Sequence, residues 1–92
     1  MTDKKHIEEF VTALQLASKD KRVLEDFLHV FLTPSEMVEF SKRLQIIKLL
    51  RSGIPQRKIA EELEVGVATI SRGARELQEV SVSISRLLDK LK

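Results

Sequence analysis

Basic and amide side chains begin the segment QRKIAEELEVGVATISR, residues 56–72. Gln56, Arg57 and Lys58 stand at the predicted N-terminal end of a helix, where free backbone N–H groups and the helix dipole favour a phosphate. A second predicted helix follows after a short turn. Its first residues are small or short and polar, which lets a helix enter a major groove deeply. These residues are Val67, Ala68, Thr69 and Ser71. The pattern predicts binding to double-stranded DNA.

The apolar residues of this segment are spaced as a helix-turn-helix requires, and we place the motif at residues 55–78. Ile59 and Ile70 face inward from the two helices. Ala60 is small enough for the helices to cross closely, and Val65 closes the corner between them. The same spacing is compatible with an ordinary helical hairpin that has a solvated face, and with a helix-turn-helix that contacts only proteins.

Two residues of the motif are locally unfavourable. Glu64 occupies the turn position where glycine is usual because the backbone there is often left-handed, and a glutamate in that conformation costs about 1 kcal/mol. Gly73 lies inside the predicted second helix, where it costs about 1 kcal/mol relative to alanine. A turn, close packing, or a ligand that needs the Cβ atom to be absent would each explain this glycine.

The whole chain predicts an all-α fold of six short helices, because no strand-like alternation is visible and only two prolines and three glycines punctuate it. The sequence Thr33-Pro34-Ser35-Glu36 is a capping box that begins the third helix, and Ser52-Gly53 ends that helix. Its predicted apolar stripe consists of Met37, Phe40, Leu44, Ile47 and Leu50. The first two helices contain the apolar positions Ile7 to Ala17 and Val23 to Phe31, and the last three span residues 54–63, 67–78 and 81–91.

We expect residues 1–92 to form a single domain and two chains to form a homodimer. The chain is 42% hydrophobic and 33% charged, which is typical of a globular protein. The first, second, third and last helices carry apolar side chains over much of their surface, and a monomer of this size has trouble covering them all. A homodimer with one shared core would cover them. A compact monomeric bundle is the alternative.

Charge and residue types narrow the function. Residues 33–92 contain 11 basic and 8 acidic residues, an excess that favours a polyanionic partner. His6 and His29 are the only histidines and cysteine is absent, so we expect no enzyme, no cofactor and no metal site. The apolar runs are too short to span a bilayer and no signal-peptide core is visible, which predicts a cytoplasmic protein without a membrane partner.

The motifs FLTPSEMVEFSKR and IPQRKIAEELEVGVATISRG, with the short helices that flank them, resemble the tryptophan repressor family. The resemblance covers residues 7–91 and is strongest over residues 31–73, where LTP, SKR, QR and ATISRG occur in order at family-like spacing. It implies an intertwined homodimer of six-helix chains that binds a palindromic operator, with the amino acid L-tryptophan as its corepressor.

The resemblance also implies a corepressor pocket. Arg72 matches the arginine that pairs with the ligand carboxylate, a charge-assisted contact suited to the guanidinium geometry. The partner's Thr33 supplies a hydroxyl to the same carboxylate. Arg43 matches the arginine that stacks on the other face of the indole ring. Gly73 matches the glycine against which the edge of the indole lies.

Three further positions concern the ammonium group of the ligand. Val30 and Leu32 match residues whose backbone carbonyls receive it. Glu76 stands where the family has a serine that helps to bind it. A glutamate one helical turn beyond Arg72 either pairs with that arginine and occupies the carboxylate site, or binds the ammonium more strongly than serine does.

For DNA, Arg57 matches the arginine of the family that contacts a base directly, and Gln56 and Thr69 match its phosphate contacts. The positions that match water-mediated readout are Val67, Ala68 and Ser71. Two residues depart from the family: Ala60 replaces a lysine near the DNA, and Pro55 replaces a hydroxyl residue that caps the first helix of the motif.

Together these observations predict a sequence-specific transcriptional repressor that is activated by L-tryptophan and acts on an amino-acid biosynthesis operator. The alternatives are a constitutive relative, which binds DNA without tryptophan, and a helical protein–protein interaction module whose helix-turn-helix never contacts DNA.

Overall fold

The computed structural model describes residues 2–79 and 81–91, and over these residues it confirms the predicted all-α fold. The helices are α1 (Thr2–Ala17), α2 (Lys21–Phe31), α3 (Pro34–Arg51), α4 (Gln56–Leu63), α5 (Val67–Glu79) and α6 (Ser81–Asp89). No helix in the described part of the chain has both the length and the apolar character needed to cross a bilayer. The chain divides between Met37 and Val38 into two compact units.

In the first unit, α1 and α2 pack together through three aromatic rings. The ring centroid of Phe10 lies 5.7 Å from that of Phe27 and 5.3 Å from that of Phe31, and the two rings on α2 are 4.7 Å apart. Such separations are favourable for tilted and edge-to-face pairs. The Asp20 carboxylate caps α2 by accepting from the N–H of Arg22 at 2.9 Å, which explains the predicted break between the helices.

The predicted capping box begins α3. The Thr33 N–H donates to Glu36 Oε1 at 2.9 Å, and the Glu36 N–H donates to Thr33 Oγ1 at 3.1 Å. The backbone hydrogen bond from Thr33, and then its side-chain hydrogen bond, lower the pKa of the Glu36 carboxyl. The reciprocal pair satisfies an N–H group that the helix itself leaves without an acceptor, and it fixes where the helix starts.

In the second unit, one isoleucine from each of α3, α4 and α5 forms the core. Ile46 is 2% exposed, and Ile59 and Ile70 are fully buried. The partly buried residues around them are Leu49, Leu50, Ile54, Ala60, Leu63 and Val65. The two isoleucines that were predicted to face inward from the helix-turn-helix therefore do so, and α3 provides the surface on which they pack.

The apolar stripe predicted for α3 does not include the residue that this helix contributes to the core. Ile46, which the stripe omitted, is the residue that α3 buries, whereas Phe40 and Leu44 are 43% and 38% exposed. The physical reason is that α3 carries apolar side chains on more than one face. Only the face that contains Ile46 meets the helix-turn-helix, and periodicity alone does not identify that face.

α3 ends in a left-handed turn at Gly53, where φ is 81°. The Ile54 N–H donates to the Leu49 carbonyl at 3.1 Å, and the Gly53 N–H donates to the Leu50 carbonyl at 3.0 Å. This is the hydrogen-bond pattern of a Schellman motif, and Ile54 packs against the isoleucine core immediately after it. The predicted stop of the third helix is confirmed.

The turn of the helix-turn-helix is held by backbone geometry. Pro55 is the N-cap of α4 with an extended ψ of 141°, so that the helix begins two residues later than predicted. Glu64 adopts the predicted left-handed conformation, with φ 55° and ψ 46°. The Val65 N–H donates to the Ala60 carbonyl at 3.2 Å, and the Val65 side chain packs on the core as predicted.

The last helix contributes a buried leucine and an ion pair to the second unit. Leu88 of α6 is 4% exposed. The Asp89 carboxylate forms an ion pair with the Arg51 guanidinium in the last turn of α3. α6 ends at this aspartate, two residues before its predicted end.

The left-handed Glu64 gives a testable prediction. We expect Glu64→Gly to unfold with a free energy about 0.5–1 kcal/mol higher than Glu64→Ala, because glycine removes the Cβ clash of this conformation while it also adds unfolded-state entropy. Alanine is the matched control, since both variants lose the carboxylate at the C-terminal end of a helix. The measurement is urea denaturation, and equal midpoints for the two variants would contradict the prediction.

Candidate functional site

A cavity of about 200 Å³ lies between α3 and α5 in the second unit. Each helix contributes one face, because its lining residues recur at three- and four-residue steps. The lining residues are Glu39, Arg43, Ile46 and Ile47 from α3, and Thr69, Arg72, Gly73 and Glu76 from α5. The volume is below that of pockets for drug-sized ligands, which is about 300–1,000 Å³, and it suits a smaller molecule.

Arg72 and Glu76 form an ion pair along α5. The distance from Arg72 Nε to Glu76 Oε1 is 3.1 Å, and the two side chains are 70% and 64% exposed. Exposed pairs at this spacing contribute only about 0.3–0.5 kcal/mol, so a bound molecule can rearrange the pair at little cost. The structure therefore has the arginine and the glutamate in contact, which was one of the two arrangements that the sequence left open.

Arg43 has two partners on its own helix. Its Nη2 lies 2.7 Å from Glu39 Oε1, and its Cζ lies 5.2 Å from the centroid of the Phe40 ring. This is the geometry of a cation–π contact combined with a charged hydrogen bond. Together they hold the guanidinium at the α3 wall of the cavity.

Gly73 lies inside α5 and lines the cavity. A Cβ atom added at this position would lie 3.5 Å from Ile46 Cγ2 and 3.9 Å from Leu50 Cδ1, which is ordinary van der Waals contact. A turn does not explain the glycine, because the helix continues through it. Close packing does not require it either, because the added atom would fit.

The predicted residues Val30, Leu32 and Thr33 belong to the first unit and are not among the residues that line this cavity. Val30 is in the last turn of α2 and is 77% exposed. Leu32 is the C-cap of α2 and donates its N–H to the Leu28 carbonyl at 2.8 Å. The Thr33 hydroxyl accepts a hydrogen bond from the Glu36 N–H in the capping box.

Two residues that were both predicted to contact DNA are bonded to each other. The Ser71 hydroxyl on α5 donates to Gln56 Oε1 on α4 at 2.8 Å. This bond holds the start of α4 beside the second turn of α5, and the Gln56 amide N–H groups can still donate to another acceptor. Arg57 is exposed next to it. Because the N-cap Pro55 makes no side-chain cap, the first N–H groups of α4 need acceptors from elsewhere.

The first turn of α5 is exposed at Val67, Ala68 and Thr69. Val67 is 51% exposed although its side chain is apolar. Thr69 was predicted as a DNA contact, and its side of α5 lines the cavity. α5 therefore carries the predicted DNA-contacting residues at its start and the cavity on the turns that follow.

The sequence reasoning missed three lining residues, Glu39, Ile46 and Ile47, as parts of a site. Glu39 was detectable in principle, because it stands four residues before Arg43, the spacing of a helical ion pair. The two isoleucines carried no signal that separated them from other core residues. Within the described residues, no group of three or more acidic or histidine side chains is arranged to hold a metal ion.

Comparison with known proteins gives one consistent result. Residues 5–92 match the model of the family described as Trp repressor protein. A Trp operon repressor homolog of Mannheimia succiniciproducens is 40% identical over 73 residues, which is 78% of this chain and 71% of the relative. A homolog of the same name from Chlamydia trachomatis (serovar D) is 34% identical over 82 residues, which is 88% of this chain and 86% of the relative. The chain belongs to the Trp repressor protein family.

Proposed function

We propose that this chain is a DNA-binding transcriptional repressor of the cytoplasm, that L-tryptophan is its corepressor, and that it acts on an amino-acid biosynthesis operator. The observation that carries the proposal is that α5 is exposed at its start and lines the cavity further along. Its first residues, Val67 and Ala68, are exposed, whereas Arg72 and Gly73 line the cavity. A ligand in the cavity thus contacts the same helix that would enter the major groove.

The exposed side of the helix-turn-helix fits DNA in its chemistry. Arg57 supplies a guanidinium that suits guanine O6 and N7. Gln56 and the uncapped N–H groups of α4 suit phosphate oxygens, which position the motif. The hydrogen bond between Gln56 and Ser71 keeps these groups in register with the recognition helix.

The proposed active form is a homodimer. Apolar side chains remain exposed on several helices, among them Phe31, Val82 and Leu87, which are 53%, 71% and 54% exposed. A second copy would bury such residues and would present two recognition helices about 34–36 Å apart, one turn of DNA. The partner's Thr33 would add a hydroxyl at the ligand's carboxylate, and the backbone carbonyls of Val30 and Leu32 are proposed contacts of its ammonium group.

The ligand would act by preferring one arrangement of the helices. With Arg72 at its carboxylate and Arg43 at its ring, an aromatic amino acid would bridge α3 and α5 and favour one position of the recognition helix. It shifts the equilibrium only by its preference for the DNA-competent arrangement, and operator DNA must then tighten ligand binding by the same factor.

A constitutive repressor is the second candidate, and one observation favours it. The Arg72 guanidinium already has a carboxylate partner in Glu76 at 3.1 Å. If that carboxylate fills the ligand's place, α5 is held without tryptophan, and DNA binding is independent of the amino acid.

The base-reading role of Arg57 is tested with a duplex selected from a random pool in the presence of tryptophan. We expect Arg57→Ala to weaken binding by about 1–3 kcal/mol and to relax the preference at one base pair, because a bidentate base contact is lost. Arg22→Ala, which removes an equal charge from α2, is the control and should bind as the wild type does. An unchanged affinity for Arg57→Ala would favour a protein–protein interaction module instead.

Linkage separates the corepressor from the constitutive mechanism. We expect calorimetry to show tighter binding of L-tryptophan when the selected duplex is present, and mobility-shift assays to show tighter DNA binding with tryptophan by the same factor. Equal affinities in the two titrations would rule out the corepressor mechanism and leave the constitutive one.

Gly73→Ala tests the cavity itself. We expect the variant to be as stable as the wild type or up to about 1 kcal/mol more stable, because the added methyl group fits and alanine favours a helix. We also expect weaker binding of tryptophan, because the methyl group occupies part of the cavity.

The control is Gly66→Ala, the same change at a position where an added Cβ atom would meet nothing within 4 Å and which does not line the cavity. Thermal melts and calorimetry give the two readouts. A destabilised Gly73→Ala protein would mean that the glycine serves helix packing rather than a ligand.

A further inference from the structure

Ser71 differs in its surroundings from the other residues of α5 that were predicted to contact DNA. Val67, Ala68 and Thr69 are exposed. Ser71 lies in the next turn and is half-buried. A serine inside a helix often bonds the carbonyl of the preceding turn of its own helix. The Ser71 hydroxyl instead donates to Gln56 Oε1, 15 residues away, at 2.8 Å. Its proton is therefore committed to a residue of α4.

This hydrogen bond sets the direction of the Gln56 side-chain amide. A side-chain amide is planar and carries an acceptor oxygen and a donor NH2 group on the same carbon. Because the oxygen is turned to Ser71, the Nε2 group is turned away from it. Gln56 is the first residue of α4, whose N–H groups receive no side-chain cap from Pro55. The side chain therefore adds donors to a helix start that already has free donors, beside the exposed Arg57.

The Ser71 hydroxyl also makes the Gln56 amide a stronger donor. Hydrogen bonds that follow one another in a chain polarise each other, so a proton donated to Oε1 strengthens the bond that Nε2 donates. An amide without this partner is free to turn over and present its oxygen instead of its NH2 group. That oxygen would repel a phosphate, whereas the NH2 group attracts one.

The geometry points to Ser71 as a positioning residue of the DNA interface, which acts through Gln56 and reads no base. Ser71 fixes the orientation of the amide, and the Nε2 group of Gln56 donates to a phosphate oxygen. This role differs from the water-mediated base readout that the family resemblance implies for Ser71. The inference rests on the proposed binding of DNA. Because phosphates recur at every base pair, Ser71 contributes to affinity and not to sequence preference.

The test is a double-mutant cycle made of Ser71→Ala, Gln56→Ala and the variant with both changes. Mobility-shift titrations with tryptophan present measure the affinity for the selected duplex and for duplexes in which one base pair is changed. Ser71→Thr, which keeps a hydroxyl, is the conservative variant. Thermal melts verify that each protein is folded.

Ser18→Ala is the matched control. It removes a serine hydroxyl that also has a hydrogen-bond acceptor, the Gln15 carbonyl at 2.7 Å, but it lies in the first unit, outside the helix-turn-helix. We expect this variant to bind DNA as the wild type does.

We expect Ser71→Ala to weaken binding by about three- to tenfold, by the same factor for every duplex. The change should have no further effect when Gln56 is already alanine, and Ser71→Thr should keep most of the wild-type affinity. The dependence of binding on salt should stay as in the wild type, because no cation is removed.

Three results overturn the inference. One is an unchanged affinity for Ser71→Ala. Another is a loss of affinity that persists in the Gln56→Ala background, because Ser71 would then act on DNA without Gln56. The third is a changed preference at a single base pair, because Ser71 would then take part in reading the sequence.

These outcomes are separable from the proposed function. Each of the three overturning results leaves a wild type that binds the selected duplex, and the DNA-binding repressor remains. If the wild type retains no duplex from the random pool, the repressor and the positioning role of Ser71 both fail.

Discussion

The contact of Ile46, Ile59 and Ile70 determines how α3, α4 and α5 pack together. Each of the three helices α3, α4 and α5 contributes one of these side chains, and each side chain is at most 2% exposed. Removing such a side chain from water contributes about 1.5–3 kcal/mol. Because Ile70 must point into this contact, the rotation of α5 about its axis is fixed. Gly73, three residues later, then lies against α3, and the residues on the outer side of the first turn face solvent.

Because α5 is fixed in this way, it connects two surfaces of the protein. The exposed start of α5 and the lining of the cavity are rigidly connected through a helix of 13 residues. Any molecule that changes the distance between α3 and α5 also moves the start of α5. The charged walls of the cavity offer little resistance to such a molecule, because both ion pairs are largely exposed. The coupling proposed between ligand and DNA therefore needs no path other than the helix itself.

The sequence predicts the local features of this fold well because each depends on few neighbouring residues. The capping box at Thr33, the stop at Gly53 and the left-handed Glu64 are all such features. The sequence does not show which face of a helix packs against its neighbours. In α3, the buried residue is Ile46 rather than Phe40. The sequence also leaves open how charged residues pair.

The cavity was only partly predictable for the same reason. Arg43, Arg72 and Gly73 came from the family resemblance, and the structure brings them to one cavity. Two further features depend on how α3, α4 and α5 pack together. Thr69 lines the cavity, and Ser71 forms a hydrogen bond with Gln56.

Glu64 and Gly73, the two locally unfavourable residues of the helix-turn-helix, differ in how the structure accommodates them. Glu64 holds a left-handed conformation that glycine would hold with less strain, and nothing in the structure explains its choice. Gly73 is different, because alanine would fit there and would favour the helix. Within the described residues, side-chain packing therefore does not require a glycine at this position. Gly73 lines the cavity together with Arg72 and Glu76, so the proposed ligand contacts and the proposed DNA contacts lie on one helix.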